Sequence, residues 1–212
     1  IYRRSANTII ETYEALATGQ IKSLDDFKKF AQMQLAELFL AKGYEQTTTR
    51  EITKVLNITQ PALYHYFGDK EALFVEVIKR VGKQVSDSMH LILSQTYEQP
   101  RDQLVAMTQV IVTRHPRDVF TLIHGSFNVL SLENQRELGI VFGRDYVKPI
   151  AIFFDQEALK LRQHVDSRVA SSFYITSLAP LFGDFHRLNG TLDMTERIQQ
   201  LLDLILYGVS ER

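Results

Sequence analysis

Between Thr47 and Lys70 the chain gathers side chains suited to meet phosphates and base edges. Thr47, Thr48 and Thr49 stand together at an expected helix start, where hydroxyls and main-chain amides bond phosphate oxygens. Arg50 follows at once and suits a guanine edge or a phosphate. Gln60 has the amide that pairs with adenine, and the small apolar Pro61 and Ala62 fit a thymine methyl. With Thr59, these three form the first turn of a helix, the part that a recognition helix presents to the major groove. Tyr64, His65 and Tyr66 occupy the next turn. Three aromatic residues exceed what so short a helix needs for its core, so at least one is expected to point outward. Lys70 follows the expected cap Asp69, where a cation opposes the helix dipole at a cost of about a few tenths of a kcal/mol. That placement makes sense if Lys70 and the free N–H groups beside it hold a phosphate.

Such a set works only if two short helices hold it. Ile52, Leu56, Ile58, Leu63 and Tyr66 have the spacing that a helix-turn-helix over 49–67 buries. Thr53 is small enough to let the second helix approach. Asn57 occupies the turn, where a left-handed backbone is required and Asn tolerates it best after Gly. Thr59 is a good N-cap, and Pro61 in the first turn loses an N–H that has no partner there anyway.

The dominant apolar period is helical throughout, so the fold class is all-α. A modest helix at 5–18 reads as an extension. A capping-box-like start at Ser23 opens a helix that ends at Lys42-Gly43. Short helices follow at 49–56 and 60–66, and a long one from Asp69 to about Thr96. Further helices are expected from Pro100 to before His115-Pro116, over 117–130, over 133–163 with a break near Gly143 or Pro149, over 167–188 capped by Asp166 and kinked by Pro180, and from Met194 to Tyr207. The expected organisation is an extension at 1–22, a three-helix DNA-binding domain at 23–82 and a further helical domain at 83–212, for which the family resemblance described below implies ligand binding and dimerisation.

Composition narrows the function classes. The 212 residues carry a formal net charge of −1, so DNA contact must come from a few placed residues rather than from bulk charge. There is no cysteine, which excludes disulfides and thiolate metal sites. The histidines lack metal-ligand spacing, and no nucleophile–base pair or phosphate-cradling glycine loop is visible. No metal, no cofactor and no enzymatic activity are expected. No apolar run reaches the roughly 18–20 residues that span a bilayer. A cytoplasmic protein without membrane partners is the expectation.

The stretch of about 24–80 resembles the DNA-binding domain of the TetR (tetracycline repressor) family. The resemblance rests on Ala36-Glu37-Leu38-Phe39, Gly43-Tyr44, Thr47-Thr48-Thr49, Glu51-Ile52, Gln60 through Phe67, and Asp69-Lys70-Glu71-Ala72-Leu73. Thr53 and Asn57 depart from the usual Ala and Gly. The resemblance implies an all-helical homodimer, a palindromic double-stranded operator read by two recognition helices, and release by a ligand. It carries DNA contact to Thr49, Arg50, Gln60, Pro61, Tyr64, His65 and Lys70. A co-activator or adaptor of the same fold, working through protein contacts, is the alternative.

The C-terminal half is rich in Phe. Core packing accounts for most of these residues, and the rest suit an apolar pocket for a small apolar or aromatic effector. The candidates are Phe120, His124, Phe127, Asn128, Phe142 and Tyr146. The resemblance further suggests that the last two helices pair with their symmetry mates, through Phe173, Leu178, Leu181, Phe182, Leu201 and Ile205. The stripes themselves equally suit core inside one subunit.

Overall fold

Helix ends explain most of the local structure, because each is set by a nearby side chain. The computed structural model describes residues 23–118, 125–182 and 192–207. All regular structure among them is helical. Ser23 starts α1 (Leu24–Gln46), its hydroxyl accepting from the Asp26 amide at 3.1 Å. Gly43 interrupts that helix with φ 81° and ψ 175°, a conformation that costs a side-chain-bearing residue more than glycine. Then come α2 (Thr49–Leu56), α3 (Gln60–Phe67) and α4 (Lys70–Leu93). Pro100 opens α5 (Pro100–Arg114). α6 (Leu132–Phe142) runs through a π-helical turn at Gly143–Val147 into α7 (Lys148–Phe154). α8 (Ser167–Ser177) is capped by Asp166, a short 3₁₀ turn follows at Ala179–Leu181, and α9 (Met194–Tyr207) completes the described chain.

These residues divide into two compact units. The first holds residues 23–81 and 125–138, and the second holds 82–118, 139–182 and 192–207. α4 contributes to both. The first unit is built on Ala31, Leu35 and Phe39, all fully buried and four residues apart on α1. Ile52, Leu56, Leu63, Leu73, Phe74 and Val77 close over them. Burying each large side chain is worth about 1.5–3 kcal/mol.

The second unit packs Leu104, Met107 and Ile111 of α5 with Ile150, Phe153 and Phe154 of α7, Tyr174 of α8, and Ile198 and Leu202 of α9. Several buried polar groups in it pair with one another. The Thr108 and Tyr174 hydroxyls meet at 2.7 Å, and the Tyr146 hydroxyl meets His115 Nε2 at 2.9 Å. Gly82 of α4 lies so near the π-turn that a Cβ there would stand 2.9 Å from Asp145 Oδ2.

Several expectations change. The two compact units are not two single runs of chain, because Gly125–Leu138 groups with the first unit. The reason is local. One Glu71 carboxylate oxygen accepts from the Ser131 amide at 2.6 Å and from Asn134 Nδ2 at 2.8 Å. Lys79 adds an ion pair with Glu137 at 2.9 Å. The helix expected over 133–163 stops at Phe154, and its irregularity is the π-turn at Gly143, not Pro149, which fits in the first turn of α7. The helix expected from 167 stops at Ser177. Pro180 brings no N–H and crowds the residue before it, so the chain tightens to a 3₁₀ turn. Of the segment 117–130, only 125–127 is helical among the described residues. The expected helix at 5–18 and the extension at 1–22 lie outside the described residues.

Candidate nucleic-acid interface

The α2–turn–α3 unit owes its shape to four local devices. A reciprocal capping box starts α2: Thr48 Oγ1 accepts from the Glu51 amide at 3.2 Å, and Glu51 accepts from the Thr48 amide at 3.0 Å. Lys42 pairs with the same carboxylate. That ammonium, with the Thr48 bonds, holds the Glu51 carboxyl at about 2, below its usual range. Asn57 closes α2 in the left-handed region, φ 52° and ψ 44°. Thr59 caps α3 by accepting from the Ala62 amide at 3.4 Å. Gly68 ends α3 with φ 79°, and Asp69 accepts from the Ala72 amide at 2.7 Å to start α4.

This frame splits the side chains of α3 into two faces. Leu63 is fully buried. Tyr66 and Phe67 are half-buried, with ring centroids 5.2 and 6.1 Å from Phe27. Gln60, Pro61, Tyr64 and His65 are exposed, and Tyr64 keeps 44% of its surface. Gln60 Nε2 comes within 3.5 Å of the Tyr64 hydroxyl, so the two share one outer strip. Of the three consecutive aromatic residues, two point outward and one inward. Ala62 is half-buried, and Thr59 is exposed with its hydroxyl engaged as cap. On α2, Thr48 and Arg50 are exposed and Thr49 is half-buried.

Thr47 stands apart from the exposed candidates. It is fully buried, and its hydroxyl donates to the Gly43 carbonyl at 2.7 Å, where it braces the bend in α1. Lys70 is half-buried, with its ammonium 4.1 Å from the centroid of the Tyr44 ring. Burial draws its pKa below the ordinary lysine value. Tyr44 was not among the expected site residues. The signal available for it was its place directly after Gly43.

The remaining candidates lie apart from this face. Phe120 and His124 lie outside the described residues. Phe127 is half-buried and Asn128 exposed in the first unit. Phe142 and Tyr146 belong to the second unit, where their rings stack at 5.7 Å. Tyr146 is buried and its hydroxyl is taken by His115. Burial pushes the Tyr146 phenol above its usual range and holds His115 down at about 3. Nδ1 of that neutral imidazole has no hydrogen-bond partner among the described residues.

Of the residues expected at a subunit interface, Leu178 and Leu181 are buried inside the chain. Leu201, Ile205 and Phe182 are half-buried. Phe173 is 56% exposed, with Val169 beside it one helical turn earlier. No group of three or more His, Cys, Asp or Glu residues placed to hold a metal occurs among the described residues. No helix among them is long and apolar enough to cross a membrane.

Comparison with known proteins bears on this geometry. Residues 35–77 match the family described as bacterial regulatory proteins, tetR family. A 42-residue stretch is 45% identical to the HTH-type transcriptional regulator QacR of Staphylococcus aureus strain Mu50, covering 20% of this chain and 22% of QacR. The matched stretch thus spans about a fifth of that relative's length. AibR, solved in complex with isovaleryl coenzyme A and operator DNA, superimposes with a TM-score of 0.63 at 19% identity, over 86% of this chain and 98% of AibR. FadR from Bacillus subtilis, solved with stearoyl-CoA, gives 0.60 at 15% identity, over 85% and 98%. At those identities the likeness is one of fold.

Proposed function

We propose that the chain is a transcriptional regulator of the TetR family, a ligand-responsive repressor binding a palindromic operator as a homodimer; its matched N-terminal segment and its fold support this reading. The observation that carries this reading is the outer face of α3. Gln60, Pro61, Tyr64 and His65 are exposed on a helix whose inner face is anchored by Leu63, Tyr66 and Phe67. A rigid helix with free polar and aromatic groups is what groove reading requires. Arg50 and Lys70 supply phosphate contacts on either side of it, with the helix starts at Thr48-Thr49 and Thr59.

Two subunits would set their α3 helices one DNA turn apart, about 34 Å. The exposed apolar residues Val169 and Phe173 of α8, with Leu204 and Tyr207 of α9, supply the surface for that pairing. Residues 23–82 read DNA, and 83–212 bind effector and dimerise. Gly125–Leu138 is lent back to the DNA-reading part. As a DNA-binding regulator the protein acts in the cytoplasm and catalyses no reaction. Its effector is a small apolar or aromatic molecule. Because AibR and FadR were solved with acyl-CoA ligands, isovaleryl-CoA and stearoyl-CoA are the first probes to try.

The effector can act only through its differential affinity for the DNA-competent and DNA-incompetent arrangements. The test is a titration of labelled duplexes from around the protein's own gene against scrambled duplexes, over a range of salt. Preference for one duplex by a hundredfold or more, with affinity falling steeply in salt, is expected. Equal affinity for genuine and scrambled duplexes would sink the reading.

A further inference from the structure

Two lysines of the first unit hold their charge in opposite ways. Lys42 is paired with the Glu51 carboxylate, so its charge is neutralised inside the fold. Lys70 forms no ion pair among the described residues, and only the more distant Glu45 attracts it. Its ammonium instead lies 4.1 Å over the face of the Tyr44 ring. A carboxylate partner would have to be given up before a phosphate could bind. An aromatic face fixes an ammonium through its quadrupole and leaves the net charge intact.

The ring is itself held. Tyr44 follows the break at Gly43, and its centroid lies 5.3 Å from Phe74, which lies 5.2 Å from the fully buried Phe39. An unbroken stack thus runs from the core of the unit to the first residue of α4. Burial raises the Tyr44 pKa, so the phenol stays neutral and competes for nothing.

We infer that Tyr44 is a positioning residue for DNA, whose ring pre-places the Lys70 ammonium for a backbone phosphate. This rests on the DNA-binding reading above. An unrestrained lysine would have to freeze its four-carbon stem on binding, whereas one already seated on a ring loses less freedom.

The test uses the full chain and a mixed-sequence DNA duplex, with affinity measured across a series of KCl concentrations. Lys70→Met should lower the slope of log K against log salt by about 0.9 for each subunit engaged. Tyr44→Phe, which keeps the ring, should bind within twofold of the parent. Tyr44→Leu should lose several-fold at low salt, and it should lose nothing further when combined with Lys70→Met. Tyr44→pentafluorophenylalanine keeps the shape and inverts the ring's charge distribution, so it should follow the leucine variant even if the latter folds poorly. Additive losses in the double variant, or full affinity in the fluorinated protein, would overturn the inference. Failure of the parent to bind any duplex would overturn the DNA-binding reading instead, which separates the two.

Discussion

The two units use their polar side chains differently. In the first, hydroxyls and carboxylates are spent on helix ends: Ser23, Thr48, Glu51, Thr59 and Asp69 each satisfy a backbone amide. That frees one outer strip of α3 to carry groups with no structural duty. In the second, Asp166 and Asp193 also cap helices, but other polar groups go inward and bond one another, as Thr108 does with Tyr174, His115 with Tyr146, and Gln103 with Gln156 at 2.8 Å. The difference separates a surface whose polar groups fix helix ends from an interior whose polar groups fix one another.

Breaking the second unit should be the costlier act. Phe153 is fully buried and packs edge-on to Phe154 at 5.2 Å. Phe153→Ala is expected to cost about 3–5 kcal/mol, read from urea denaturation. A loss under 1 kcal/mol would mean that this interior is loosely packed.

The next effect depends on pH. Burial holds His115 near 3 when folded, against an ordinary 6.5 when unfolded. Above 6.5 the group is neutral in both states and contributes nothing to the pH dependence. Below 6.5 the unfolded chain takes up a proton that the folded chain refuses. Stability therefore falls between 6.5 and about 3, by up to about 1.4 kcal/mol per pH unit. His115→Phe should flatten that acid slope in melts run at successive pH values, while lowering stability at neutral pH by orphaning the Tyr146 hydroxyl. An unchanged slope would remove His115 as its cause.

The smallest expected effect lies in the first unit. Thr48→Ala removes one half of the capping box and should cost about 1 kcal/mol in thermal melts. If it cost as much as Phe153→Ala, the contrast between capped surface and paired interior would not hold.

The same contrast decides what could be read from the residues alone. Caps are local, so Ser23, Thr48, Asn57, Thr59 and Asp166 announce themselves within a few positions. Contacts made at long range do not. Three adjacent threonines look alike until packing buries Thr47 and leaves Thr48 out. An apolar stripe cannot say which of its members face inward, so Leu178 and Phe173 look equivalent, yet they are 2% and 56% exposed. A lone histidine gives no sign of a partner 31 positions away. The same holds for Lys70 and Tyr44, whose contact spans α2 and α3. The end of α8 was half legible: Pro180 marked the place, but whether a kink or a stop would follow depended on its surroundings.

Glu71 carries one further consequence. It stands one residue after Lys70, yet the amides that it satisfies, at Ser131 and Asn134, lie some sixty positions later in the chain. The first unit is therefore discontinuous along the gene. Anyone transplanting that unit onto another scaffold must carry two separate stretches, and recombination with a single crossover near residue 82 would part a carboxylate from the helix start that it holds.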